Sequence, residues 1–240
     1  MNKFSFEVPL HNLEDFTIDQ DYIFSLSFLY SHKEYKKHIR DCQDLGLEIW
    51  LDNSYNELKI ATSPSELSIL YQDFSPDFVI CPDDDTWTIT QYLQIYQKMQ
   101  EHIPAERLYL VARNPQHFEA FIEAKIDQNI AIPYEFRPEY TGRIPEGAEG
   151  FSPYDKTLLE DSHFLGLNTY DEPLNYSPRS CDTSMPIKLA LLGITISTWI
   201  KNGEPHIDST PDFFLKKLTK QQIKLSKENI QFLKTTNQLT

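Results

Sequence analysis

The chain has 240 residues and a formal net charge of −14, with 40% hydrophobic and 13% aromatic side chains. This provides for a sizeable core, contains no run near the ~18 apolar residues needed to span a bilayer, and disfavours broad contact with a polyanion. The N-terminus, Met1 to Glu7, lacks the charged-then-apolar build of a signal peptide, and Cys42, Cys81 and Cys181 form no pair motif, so a reducing, cytoplasmic compartment is expected.

In chain order, Tyr22 to Leu29 reads as a first strand and His32 to Leu45 as a helix closed by Gly46. Leu47 to Leu51 is the second strand. Ser63-Pro64-Ser65-Glu66 opens a helix, with Ser63 as cap, Pro64 at the first position and Glu66 in the capping-box place. Asp77 to Cys81 predicts a third strand stopped by Pro82, and Thr88 to His102 a helix. Arg107 to Ala112 is the fourth strand, Pro115 to Asp127 a helix, and Asn129 to Ile132 a fifth strand cut by Pro133. Residues 134–156, rich in Pro, Gly and Glu, predict a long loop. His163 to Leu167 is the sixth strand, and the segment ending at Asp182 the seventh. Met185 to Leu192 predicts a helix ended by Gly193, the β-branched run Ile194 to Ile200 an eighth strand, and residues 210–236 one or two helices.

Strands alternating with helices imply right-handed crossovers and a parallel sheet, and eight of them make a (β/α)8 barrel the first choice in the α/β class. An open doubly wound sheet is the runner-up, but the seven glycines contain no G-x-G-x-x-G phosphate turn. No repeat or low-complexity linker divides the chain. The expectation is a single barrel domain over residues 1–240, with its core at about 20–200 and a basic helical tail at about 208–236. That tail is distinct in charge. Residues 201–240 hold seven lysines against four acids, or +3, so the other 200 residues carry −17.

In a parallel barrel the residues just after each strand share one mouth. Asp52 closes an apolar run there, and Asp182 does the same in Arg179-Ser180-Cys181-Asp182-Thr183-Ser184. Two carboxylates so placed suit chemistry at a sugar's anomeric carbon, where one attacks and the other moves protons. Each fits equally well as a turn or helix-cap aspartate. Around them the same rule gathers Asn53, Asp83 to Asp85, Arg113, Asn114, Gln116, Tyr134, Glu135, Arg137, Asn168, Arg179, Ser180 and Thr183. The run Asp83-Asp84-Asp85 has three readings: ligands for a hard divalent cation, a partner for the donors of a heterocyclic base, or caps for the helix near Thr88. No H-E-x-x-H, C-x-x-C or close histidine pair supports a metal, and no G-x-S-x-G supports a serine nucleophile. His163, inside an apolar strand, reads as a core residue. Cys181 reads as structural, because the neighbouring carboxylate raises a thiol's pKa.

Leu51-Asp52-Asn53-Ser54, Pro76 to Asp83, Ile130 to Pro133, Phe164 to Leu167 and Arg179 to Ser184 together resemble the tRNA-guanine transglycosylase superfamily. The likeness is to compact phage and bacterial members that place 7-deazaguanines in DNA. It implies a (β/α)8 barrel that exchanges a guanine-like base through a covalent aspartyl-sugar intermediate. Asp182 would then be the nucleophile, Asp52 the acid/base, Asp83 the group on the base's Watson–Crick edge and Gln116 a contact to its carbonyl. Asn53, Arg113, Tyr134, Glu135 and Asn168, placed at the same mouth by the strand rule rather than by the resemblance, are expected as further substrate contacts. Three departures stand out: Ser54 where the family's turn carries glycine, Asn114-Pro115-Gln116 where it carries Gln-Gly-Gly, and scattered cysteines where tRNA enzymes bind zinc.

The expected partners are a guanine-like base or nucleotide, with DNA or tRNA reached through Lys216, Lys217, Lys220, Lys224 and Lys227 if these form one basic helix face rather than a merely solvated one. No cofactor, metal or membrane is called for, and a homo-oligomer is compatible with the sequence. Two alternatives stand beside base exchange: a non-catalytic nucleotide- or protein-binding module on the same barrel, and a metal-dependent hydrolase using Asp83 to Asp85.

Overall fold

Eight short strands run parallel: β1 (Lys3–Phe6), β2 (Ile23–Leu26), β3 (Ile49–Asp52), β4 (Phe78–Ile80), β5 (Leu108–Val111), β6 (Ile130–Pro133), β7 (His163–Leu165) and β8 (Ser180–Thr183). They hydrogen-bond in the order β1-β8-β7-β6-β5-β4-β3-β2, each pair parallel. The computed structural model describes residues 2–126, 129–137, 159–160, 162–202 and 211–237. Helices α1 (Lys33–Asp44), α2 (Pro64–Phe74), α3 (Ile89–Gln100) and α4 (Pro115–Glu123) follow β2 to β5, and α5 (Glu172–Tyr176) and α6 (Met185–Leu191) follow β7 and β8. After these come α7 (Ile196–Lys201), α8 (Pro211–Phe214) and the C-terminal α9 (Lys220–Thr236). The architecture is a nearly closed (β/α)8 barrel with a C-terminal helical tail. The strands read as apolar runs because helices outside and side chains inside bury both faces.

No backbone ladder joins β1 to β2 among the described residues; one backbone bond, Asp21 N to Phe4 O at 3.0 Å, and a set of side chains close that seam. Gln20 donates to Phe6 O at 2.9 Å and accepts from Phe6 N at 2.6 Å, Asp21 accepts from Phe4 N at 2.9 Å, and Phe24 N donates to Ser5 Oγ at 2.9 Å. The floor of the barrel is aromatic. Trp50 lies 5.3 Å from Tyr22, 4.6 Å from Tyr109 and 4.7 Å from the His163 ring, all centroid to centroid, and Phe24 stacks on His163 at 5.2 Å. These rings fill the interior toward the strands' amino ends.

Helix starts follow their capping chemistry. Ser63 accepts from Glu66 N while Glu66 accepts from Ser63 N, and Thr88 with Gln91 repeats the arrangement. Capping also corrects one sequence expectation: Ile194 to Ile200 is not the eighth strand. Thr195 accepts from Thr198 N and opens α7, which buries Ile196 and Trp199, three residues apart, against the barrel. β-propensity is overridden by packing here. The eighth strand is instead β1, so the barrel starts at Lys3 rather than near residue 20.

The lysine face is corrected too. Lys216 and Lys217 lie between helices, because Thr219 caps α9 and starts it afresh. Lys227 pairs with Asp19 at 3.6 Å and Lys234 with Asp21 at 2.7 Å, so part of the tail's positive charge is used on the barrel itself. Asn229 accepts from Ile196 N at 2.9 Å and donates to Pro186 O at 3.0 Å, fastening α9 over α6 and α7. Among the described residues no helix is long and apolar enough to cross a membrane.

Candidate active site at the carboxyl mouth of the barrel

A cleft of about 940 Å³, counted out to its open mouth, lies over the carboxyl ends of the strands. Asp52 ends β3, Asp83 and Arg113 follow β4 and β5, Tyr134 and Glu135 follow β6, and Asp182 sits in β8. Asn53 and Asn168 line it as well. Gln116 does not: it is exposed on the outer side of α4. Arg179, grouped with these residues from the sequence, precedes β8 and lies over the Phe78 ring at the barrel's other end. Asn114 is spent on capping α4, and Arg137 is buried beneath the mouth against Glu172. Three charged lining residues fall outside the sequence-based set: Glu7 just after β1, Glu57 in the turn after Asp52, and Lys188 on α6.

The turn after β3 is held in an unusual backbone. Ser54 has φ +59°, a left-handed conformation that glycine adopts more easily. Asp52 Oδ2 accepts from Ser54 N at 2.7 Å, and Ser54 Oγ meets Ser27 Oγ at 2.8 Å. Strain of this kind is held in place by its surroundings and concentrates at functional sites. Here it turns Tyr55, Asn56 and Glu57 toward the cleft, which all three line.

Asp182 lies on the floor. Gly166 N faces both of its oxygens at 3.3 Å, and His163 Nε2 is 3.2 Å from Oδ1, in contact but off hydrogen-bond geometry. Burial raises the Asp182 carboxyl to about 7, against the pull of Gly166 N–H and the Arg137 charge. Burial moves His163 the other way, to about 3, so its ring is uncharged beside Asp182 at neutral pH. Burial and then the Asp182 charge raise Glu7 to about 7, while Lys188 and Ser184 hold it down. Glu57 rises to about 8 through burial and the charge of Glu7, and Asp52 is raised through burial and the charge of Glu57.

The opposite wall is an ion-pair cluster. Arg113 pairs with both Asp83 and Asp85 and donates to Tyr92 Oη at 3.2 Å, while Asn53 donates to Asp83 at 2.8 Å and to Cys81 O at 2.7 Å. These contacts occupy Asp83. Neither a heterocyclic base edge nor a cation meets it free, and among the described residues no three His, Cys, Asp or Glu side chains converge as metal ligands. The hydrolase reading on Asp83 to Asp85 is therefore dropped.

No family model matches the chain, and no curated protein matches it. Among solved structures it is similar to N-acetylneuraminate lyase from Mycoplasma synoviae, with a TM-score of 0.50 and 11% identity over 95% of this chain and 90% of that one. A second similar structure is CdNal from Clostridium difficile in complex with mannosamine, with a TM-score of 0.47 and 9% identity over 93% and 90%. At such identity the likeness establishes the barrel fold and no more.

The transglycosylase resemblance is overturned. No family model carries it, the similar solved barrel at a TM-score of 0.50 is an N-acetylneuraminate lyase, and Asp83 and Gln116 do not stand free in the cleft as a guanine site would need. Base exchange with 7-deazaguanine chemistry is withdrawn, as is the non-catalytic binding module that depended on the same family.

Proposed function

We propose that the cleft is the active site of an enzyme that moves protons on a small polar molecule, with Asp182 as acid/base and Asp52 as its partner carboxyl. One observation carries this reading: a carboxyl is buried at the base of an open cleft, and that burial raises it to about 7, where it can both accept and return a proton at neutral pH. The Gly166 N–H beside it orients the carboxyl, and the His163 beneath it is neutral and adds no charge that would hold the carboxyl ionised. The test is exchange in heavy water. Wild-type protein incubated with a library of small hydroxy, keto and amino compounds should bring solvent deuterium into its substrate, read by mass spectrometry. Asp182→Asn should slow that exchange about 10²–10⁴-fold. Equal exchange by the variant, or none by the wild type on any compound, would overturn the assignment.

A second reading is carbon–carbon bond cleavage through an amine, the chemistry being that of a lyase. Lys188 favours it: it is buried, lines the cleft next to Glu7, and is the cleft's one lysine among the described residues. Its amine would add to a substrate carbonyl and lose water to give an imine. Borohydride with a panel of 2-keto acids should then leave a covalent adduct on the intact protein, absent in Lys188→Met. An unmodified wild-type mass retires this reading and leaves the first untouched.

A further inference from the structure

We infer that the substrate carries an organic cation, an amine or guanidine group, held among Glu7, Asp52, Glu57 and Asp182; this rests on the cleft being the active site. The four carboxyls line one cleft and are each at least nine-tenths buried, while Lys188 is the lysine that faces them. Among the described residues the other cation on the lining, Arg113, is taken by Asp83 and Asp85. An excess of buried acid over cation is costly to ionise unless a ligand supplies the missing charge.

The second observation is Glu57. Its Oε1 accepts one long bond from Asn56 at 3.4 Å, while its Oε2 is buried with no hydrogen-bond partner among the described residues. A buried acceptor on the wall of an open cleft is a place for a donor that is not part of this chain. A cationic N–H group fits it better than a hydroxyl, because it supplies donors and charge together.

Protons follow from the same arrangement. Until the cation arrives, burial favours the protonated forms of Glu7, Asp182 and Glu57, raising them to about 7, about 7 and about 8. Binding should expel them, so affinity rises with pH. Other charged groups act on the same carboxyls: Lys188 and Arg137 favour their ionisation, Asp83 opposes that of Asp52, and His163 stays neutral. Glu135 faces Arg113 and Lys59 at the rim.

The experiment uses the whole chain. Methylguanidine and ethanolamine, both ionised throughout neutral pH, are titrated calorimetrically against their neutral counterparts methylurea and ethylene glycol, in phosphate and in MOPS to count released protons. The charged compounds should bind about tenfold more tightly or better, release protons, and gain affinity from about pH 6 to about pH 8. Glu57→Gln, checked for folding by its melting curve, should lose most of that gain. Equal binding of charged and neutral compounds overturns the cation while leaving the active site in place. So does the absence of charged-compound binding in a protein that still shows Asp182-dependent deuterium exchange. Loss of both binding and exchange sinks the two proposals together.

Discussion

Raising the pH from about 6.5 to about 8 should destabilise this protein, the reverse of the usual acid denaturation. Glu7, Asp182 and Glu57 are lifted to about 7, about 7 and about 8, and Asp52, Asp83 and Glu135 are raised as well, burial being the first cause in each case. In the unfolded chain such carboxyls release their protons near pH 4. Between that value and the folded one the native state holds protons that the unfolded state has lost, so stability falls as pH rises and levels off above the folded value. His163 works the other way. Lowered to about 3, it adds stability as pH rises from there to about 6.5, where its unfolded form stops binding protons. The two effects oppose each other in mild acid, and above about 6.5 only the carboxyls remain. Urea midpoints measured across that window should decline for the wild type. Glu57→Gln should flatten the decline and be more stable than wild type at about pH 8. A wild-type profile that is flat or rising there would mean that these carboxyls are ionised in the fold.

The barrel was legible because its strands are short apolar runs ended by polar turns, and because capping residues mark the helix starts. Ser63-Pro64-Ser65-Glu66 specifies its helix by side-chain hydrogen bonds within four residues, so nothing remote can change it. The mouth was legible for the same topological reason: Asp52, Asp83, Arg113, Glu135 and Asp182 line one cleft because each follows or ends a parallel strand. What such a rule leaves undetermined is whether a side chain is available. Asp83 and Arg113 neutralise each other, and Arg137 is drawn under the mouth by Glu172, which sits 35 positions further along the chain. Partners so distant leave no local signal.

The omissions have their own causes. β1 is only Lys3-Phe4-Ser5-Phe6, half polar, and its period-two alternation is the single hint that Glu7 stands at a strand's end. Glu57 reaches the cleft only because Ser54 bends the backbone into the left-handed region, which its sequence does not demand. Lys188 lies within an apolar run, where a lysine reads as an exception on a buried helix rather than as a group facing a cavity. Ile194 to Ile200 shows the opposite failure. A strand-like composition was outweighed by one threonine cap and by the burial of Ile196 and Trp199 on one side of the helix.

Replacing Arg137 with alanine should cost about 3–5 kcal/mol of stability, the effect expected when one partner of a buried ion pair is removed and the other charge is left in the interior. Arg137 and Glu172 are both fully buried at the side chain. The guanidinium donates to Glu172 Oε1 at 2.8 Å and Oε2 at 3.3 Å, to Ile132 O at 2.7 Å and to Gly166 O at 2.6 Å, with Phe164 beneath it at 4.3 Å. Glu172 in turn accepts from Asn168 N at 2.5 Å. The pair therefore ties the end of β6 to the end of β7 and to the loop that carries Gly166 and Asn168. Gly166 N faces Asp182, so loosening this knot reaches the acid/base group at one remove. Arg137 is thus a positioning residue, and its charge also holds the Asp182 carboxyl below where burial alone would set it. Arg137→Ala should then shift the acid limb of any Asp182-dependent activity to higher pH, a change that a purely structural role would not produce. The double variant Arg137→Met with Glu172→Leu separates the two effects, since exchanging a buried pair for apolar groups is commonly near neutral. It should recover most of the lost stability without restoring the pH profile. A single variant within about 1 kcal/mol of wild type in urea denaturation would show that water reaches Glu172, and that the loop is held by something other than this pair.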